Sequence, residues 1–177
     1  MEIIMIEFRL HGLGGQGIVT FSHLLSEAAL EMELYSQSLP SFGVERRGSS
    51  VSASVRINDK PILIHEQCST PEFLVIMNDS LIQKAIDMGL HKRTKLIVNS
   101  NEKRYEQNAI TINATQIAIE NNLVHDNIPF VNIPMFGAVC KVIQFPREVV
   151  EIVLRKNWKG KIAELDVKAA LSAYDAI

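Results

Sequence analysis

The six residues Gly12-Leu13-Gly14-Gly15-Gln16-Gly17 constrain this chain more than any others. Before them, Ile3 to Leu10 is rich in Ile and Phe and stops at His11-Gly12, the pattern of a buried strand. After them, Ile18 to Met32 places Val19, Leu24, Leu25, Ala28 and Ala29 at helical spacing, which predicts an amphipathic helix. Gly12, Gly14 and Gly17 thus satisfy G-x-G-x-x-G in the strand–turn–helix context that gives the pattern meaning. Glycines let the backbone approach a ligand closely, and amides at a helix start favour an anion. Two readings stand: a phosphate site using Gly12, Gly14, Gly15, Gln16 and Gly17, or a tight corner with no ligand. A dinucleotide would also want an acid at the end of the second strand. Glu31 and Glu33 precede Leu34 and Tyr35, so they sit at that strand's start.

The rest of the chain alternates strands with helices. Leu34–Ser38 predicts a short strand, and Leu39–Gly48 a loop marked by Pro40, Gly43 and Gly48. Residues 51–57 alternate apolar and polar. With a turn at 58–60 and Pro61–Ile64 returning, they predict a hairpin. Phe73–Met77 and Lys95–Asn99 read as strands covered on both faces, and Ala109–Asn113 as a weaker one. Helices are expected at 80–88 with Asp79 as N-cap, at 115–121, at 135–143 after Pro134, at 147–156 with Pro146 at N1, and at 162–174. The segment 144–160, polar around Trp158 and Gly160, links the last helix to the body. The economical fold is α/β: a single three-layer α/β/α domain over 1–177, its mixed, mostly parallel sheet opening on a Rossmann-like βα unit.

Composition narrows the function. Eighteen basic residues against twenty acidic ones leave a net charge of −2, so a global basic field for nucleic acid is absent. No apolar stretch approaches the ~20 residues of a membrane helix. The N-terminus, broken by Glu2 and Glu7, lacks a signal-peptide pattern, so a cytoplasmic location is expected. Two cysteines, Cys68 and Cys140, exclude a disulfide framework and fall short of the four thiolates an iron–sulfur cluster takes.

The stretch Ser38–Ser50 carries Glu45, Arg46 and Arg47 between Gly43 and Gly48. Arginine forks suit phosphate or carboxylate. A solvated turn with an internal ion pair is the plainer account. Loops at the carboxyl ends of strands gather in one crevice, which would bring this loop toward the glycine turn.

Together these strings resemble a known family. Gly12-Leu13-Gly14-Gly15-Gln16-Gly17, then Gln37-Ser38-Leu39-Pro40-Ser41-Phe42-Gly43-Val44-Glu45-Arg46-Arg47-Gly48, then a Val/Ser strand ending Val55-Arg56-Ile57, resemble the gamma subunit of 2-oxoacid:ferredoxin (acceptor) oxidoreductases. Asn132-Ile133-Pro134-Met135-Phe136-Gly137-Ala138 is similar to that family's Asn-x-x-x-Leu-Gly-Ala stretch, with Phe136 replacing leucine. The resemblance spans about residues 6–175. It implies a complex that cleaves a 2-oxoacid oxidatively with coenzyme A, giving acyl-CoA, carbon dioxide and reduced ferredoxin. Thiamine diphosphate, magnesium and iron–sulfur clusters would sit on companion alpha, beta and delta or ferredoxin-like subunits. This chain would bind none of them and hold no catalytic residue. It would shape the CoA entrance and a subunit interface, with Gly12, Gly14, Gly15, Gln16, Gly17, Arg46 and Arg47 as contact residues. Its extent resembles the 2-oxoglutarate type. Isolated, it is expected to pair with itself through the orphaned interface. The alternatives are a stand-alone Rossmann-like nucleotide enzyme and a CoA-binding module.

Smaller signals have plain explanations. Cys68, in Glu66–Thr70, has no neighbouring base and reads as an inert loop thiol. Cys140, Met135 and Phe136 read as packing, and Ser22 and Ser26 as a polar stripe. His11 reads as strand-end packing, and the five histidines show no metal-ligand spacing.

Overall fold

The computed structural model describes residues 5–41, 49–87, 91, 93–102 and 109–177. The six-stranded sheet has the order β2-β3-β1-β4-β5-β6: Tyr35–Ser41, Ser50–Asn58, Ile6–Leu13, Phe73–Ile76, Lys95–Asn99 and Ala109–Ile112. β1, β4, β5 and β6 pair in parallel, and β3 runs antiparallel to both β1 and β2. Helix α1 (Ile18–Glu31) connects β1 to β2, the expected first βα unit. The fold is the three-layer α/β/α arrangement with a mixed, mostly parallel sheet.

One face of the sheet carries the main core. Phe8 and Leu10 of β1 share it with Val51, Ala53, Val55 and Ile57 of β3 and Val75 of β4, against α1 and the C-terminal helices α4 (Asn132–Val142), α5 (Arg147–Asn157) and α6 (Gly160–Asp175). α4 and α6 meet backbone to backbone: a Cβ on Gly137 would overlap the Ala170 carbonyl. Small α6 residues, Ala169, Ala170 and Ala173, permit this approach. On the other face, Leu74, Ile76, Leu96 and Val98 pack under α2 (Ile82–Asp87) as a smaller cluster. Parallel strands covered on both sides explain the unbroken apolar runs at 73–77 and 96–98.

On that second face, β1, β2 and β3 are polar. Arg56, 2% exposed, donates from Nε to Glu7 Oε1 (2.7 Å) and from Nη1 to Gln37 Oε1 (3.0 Å) and the Glu66 carbonyl (2.7 Å). Ser54 Oγ donates to Gln67 Oε1 (2.7 Å) and accepts from the Cys68 N–H (2.9 Å). The chain after β3 therefore covers this face instead of forming the return strand expected at 61–64. β3 already has β1 and β2 as neighbours, so no edge remains for a third strand. The hairpin partner is β2, which runs on to Ser41 and absorbs Leu39 and Pro40, expected in a loop. Proline is tolerated there because β2 is the edge strand.

Other ends differ by one to three residues, each for a local reason. Asn78, not Asp79, caps the short 3-10 turn Asp79–Leu81, accepting from the Ser80 N–H at 3.0 Å. Pro146 is the N-cap of α5, not its first residue, because its ψ of 147° is extended. α4 starts at Asn132, three residues early, with Pro134 tolerated in its first turn. A two-residue ladder, β7 (Val124–His125) with β8 (Ile128–Pro129), follows α3 (Ala114–Glu120) and went unforeseen because its turn, Asp126-Asn127, lies between strands too short for a pattern.

Candidate functional site

β1 ends at Leu13 and the glycine turn begins. The Gln16 N–H closes it on the Leu13 carbonyl at 3.0 Å, and Gln16 Oε1 accepts from the Leu13 N–H at 2.7 Å. The Gly14 N–H donates to the Ser49 carbonyl at 2.8 Å. The amides of Gly14 and Gln16, two of the donors expected to face an anion, are thus spent on the turn and on the start of β3. Gly15, at φ 94°, has no atom of the described residues within 4 Å of where a Cβ would sit, so among them this side of the turn is open. Gly17, at φ 75°, is the N-cap of α1 and receives no side-chain cap.

The sheet order places β1 between strands reached in opposite directions, the switch point at which open α/β sheets hold ligands. A crevice of about 360 Å³ lies there, lined by Gln16, Asn78, Asp79, Asn99, Ser100 and Thr115. Its walls hold each other. Ser100 Oγ donates to Asp79 Oδ2 (2.9 Å), and Asn99 Nδ2 donates to the Met77 carbonyl (3.1 Å) and Thr115 Oγ1 (3.0 Å). The sequence signal was an asparagine at the carboxyl end of each apolar run: Asn78, Asn99 and Asn113.

A cation also stands near. Lys84 Nζ donates to Ser50 Oγ at 2.6 Å, and Ser50 is the partner of Leu13 across the β1–β3 ladder. Lys84 thereby carries an ammonium to the carboxyl end of β1, which sequence reading missed because α2 lies far from the turn in the chain. Beside it, His11 is buried with Nε2 unpartnered. Burial first, then the charges of Arg9 and Lys84, lowers its pKa to about 4, so the imidazole is neutral at pH 7. Arg46 and Arg47 lie outside the described residues.

The two cysteines are structural. Burial raises the Cys68 thiol to about 11 and the Cys140 thiol further still. Met135 and Phe136 are fully buried, as packing predicts. Ser22, read with Ser26 as a polar stripe, is buried; its Oγ donates to the Val19 carbonyl and accepts from Ser38 Oγ. Among the described residues, no group of three His, Cys, Asp or Glu side chains is placed to hold a metal ion, and no helix is long and apolar enough to cross a membrane.

The model of the pyruvate ferredoxin/flavodoxin oxidoreductase family matches residues 7–176. The chain belongs to this family. It is 36% identical to the pyruvate/ketoisovalerate oxidoreductases common subunit gamma of Pyrococcus abyssi, covering 97% of this chain and 96% of that one. It is 38% identical to the pyruvate synthase subunit PorC of Methanothermobacter marburgensis, covering 97% of each. The crystal structure of the pyruvate oxidoreductase subunit PORC from Thermotoga maritima superposes with a TM-score of 0.82 at 28% identity, over 97% of this chain and 96% of that one. This member of the family thus matches relatives that are themselves subunits, end to end.

Proposed function

We propose that this chain is the gamma subunit of a 2-oxoacid:ferredoxin oxidoreductase acting on pyruvate or ketoisovalerate. Residues 1–177 act as one unit within a cytoplasmic complex. The observation that carries the reading is the match over nearly its whole length, and nearly the whole length of relatives named gamma subunit or PorC. The names of these relatives favour pyruvate or ketoisovalerate over the 2-oxoglutarate expected from the sequence.

The chain's own chemistry is consistent with a part that does not turn over alone. Two buried cysteines do not fit a resident iron–sulfur cluster, so electron transfer belongs to companion subunits, as does thiamine-dependent carbon–carbon cleavage. This chain contributes positioning. The open side of the turn at Gly15, the uncapped start of α1 at Gly17, the Lys84 ammonium, and Arg46 and Arg47 supply positive potential for a phosphate of coenzyme A. Ser41 and Ser49, on either side of the segment bearing the arginines, are anchored at the same end of the sheet: Ser41 by pairing with Ser52, Ser49 by its bond to Gly14.

The test is reconstitution with the alpha and beta chains. Omitting this chain should abolish acyl-CoA formation, and Arg47→Ala or Lys84→Ala should raise the apparent KM for CoA several-fold with kcat little changed. A complex equally active without it, or an isolated chain that decarboxylates a 2-oxoacid, overturns the reading. A melting shift of the isolated chain with NAD, FAD or ATP would favour the stand-alone nucleotide enzyme instead.

A further inference from the structure

A second cavity lies on the other side of Gly17. It is a groove of about 610 Å³ between the start of α1, the β7–β8 ladder, the start of α4, and α6. Its walls are apolar: Leu123, Phe130, Ile133, Trp158, Ile162 and Leu165. Its rim is apolar too, and exposed. Ile162 is 58% exposed, Phe130 44% and Val124 38%, with Ile128, 47% exposed, on the adjoining strand β8. So many large apolar side chains around one opening mark an interaction surface.

Of the polar residues that line the groove, Thr20, Asn122, His125, Asn132 and Asp166, two are buried. Asp166 is 4% exposed, and no cation or hydrogen-bond donor among the described residues meets its carboxyl. Asn132 is 6% exposed, and its Oδ1 is fully buried without a partner. Both are acceptors. A carboxyl that opens only onto this groove, with no cation beside it, is costly to keep charged. A phosphate or carboxylate there would stand against the Asp166 carboxylate. A long side chain with an apolar stem and a donating, charged head fits both the walls and the polar groups.

Resting on the subunit reading, we propose that this groove seats a companion subunit, which covers Phe130 and Ile162 with an apolar segment and sends one lysine or arginine down to Asp166 and Asn132. A protein occupant is favoured over a small molecule because the exposed rim extends beyond the groove to Ile128, which a ligand inside would leave in water.

The experiment uses the co-expressed complex with alpha and beta. p-Benzoylphenylalanine at position 162 should cross-link this chain to alpha or beta, at a peptide holding a lysine or arginine. Asp166→Asn should weaken assembly about tenfold while the isolated variant melts no lower than the parent. Ile162→Glu should prevent assembly while its isolated chain stays folded. An intact complex with no cross-link, a cross-link only to a second copy of this chain, or a small molecule retained in the groove overturns the proposal and leaves the subunit reading standing. Failure of the parent chain to assemble with alpha and beta overturns both.

Discussion

Gly17 and Asn132 are in contact across the junction of α1 and α4: a Cβ built on Gly17 would lie 2.6 Å from Asn132 Nδ2. The glycine turn and the Asn132–Ala138 stretch, two motifs more than a hundred residues apart in the chain, are thus one piece of structure. Gly17 also sits at φ 75°, where a side chain is strained whatever the space. Gly17→Ala should cost about 2 kcal/mol or more, combining the left-handed penalty with the clash. Gly15→Ala, at φ 94° with open space around it, should cost only about 1 kcal/mol. Urea unfolding of the two variants tests the difference. Adding Asn132→Ala to Gly17→Ala should recover the clash alone, so the double variant should be less destabilised than the sum of the singles. Strict additivity would mean the two residues do not share that space.

Arg56 anchors the polar side of the sheet through Glu7, Gln37 and the Glu66 carbonyl. Arg56→Ala leaves those acceptors without a donor in a site that is nearly dry, and a loss of about 3 kcal/mol is expected. The same variant should loosen residues 61–68, because the Glu66 carbonyl loses its partner. Hydrogen exchange should speed up at the Cys68 amide more than at Val55 in the core strand. Uniform exchange across both would argue against a local anchor.

How much of this was legible beforehand follows from how local each signal was. The β1–turn–α1 unit could be read because its apolar runs and glycines are contiguous. The apolar runs at 73–77 and 96–98 declared strands buried on both faces. Pro61–Ile64 misled because alternation around 51–57 fixes a strand but not its neighbours. Which strand pairs with β3 is decided by the sheet order. Lys84 and Asp166 were invisible for the same reason: each gains its meaning only from elements that meet in space. Ser22 read only as part of a polar stripe because its partner Ser38 lies on the next strand, sixteen residues on.

Both thiols should be silent in the native chain. Cys68 is buried and its thiol is raised to about 11 by that burial, and Cys140 is buried within α4. The thiolate is the reacting species, so neither presents one at pH 8. A disulfide-exchange reagent should titrate no thiols in buffer and two in denaturant. Rapid reaction of one thiol in buffer would show that the segment covering the polar face of the sheet opens readily.

His11 and Asp166 make opposite demands on acid stability. His11 falls from 6.5 to about 4 on folding, chiefly through burial, so the unfolded chain binds its proton first. This group costs no stability above pH 6.5 and lowers it progressively as pH falls from 6.5 to 4. Asp166 rises from 3.8 to about 6 through burial, so the folded chain binds its proton first. Its penalty is full above pH 6 and is relieved as pH falls from 6 toward 3.8. The two windows overlap and the two slopes oppose each other. The isolated parent should therefore show little net slope from these groups between pH 6 and 4. Asp166→Asn removes the relieving partner, so that variant should gain about 2 kcal/mol at pH 8 and then lose stability steeply toward pH 4. His11→Gln should do the reverse and become more stable on acidification through the same window. Denaturant midpoints at pH 8, 6 and 4 for the three chains decide it. Parallel pH profiles for all three would mean that neither group changes its protonation on folding.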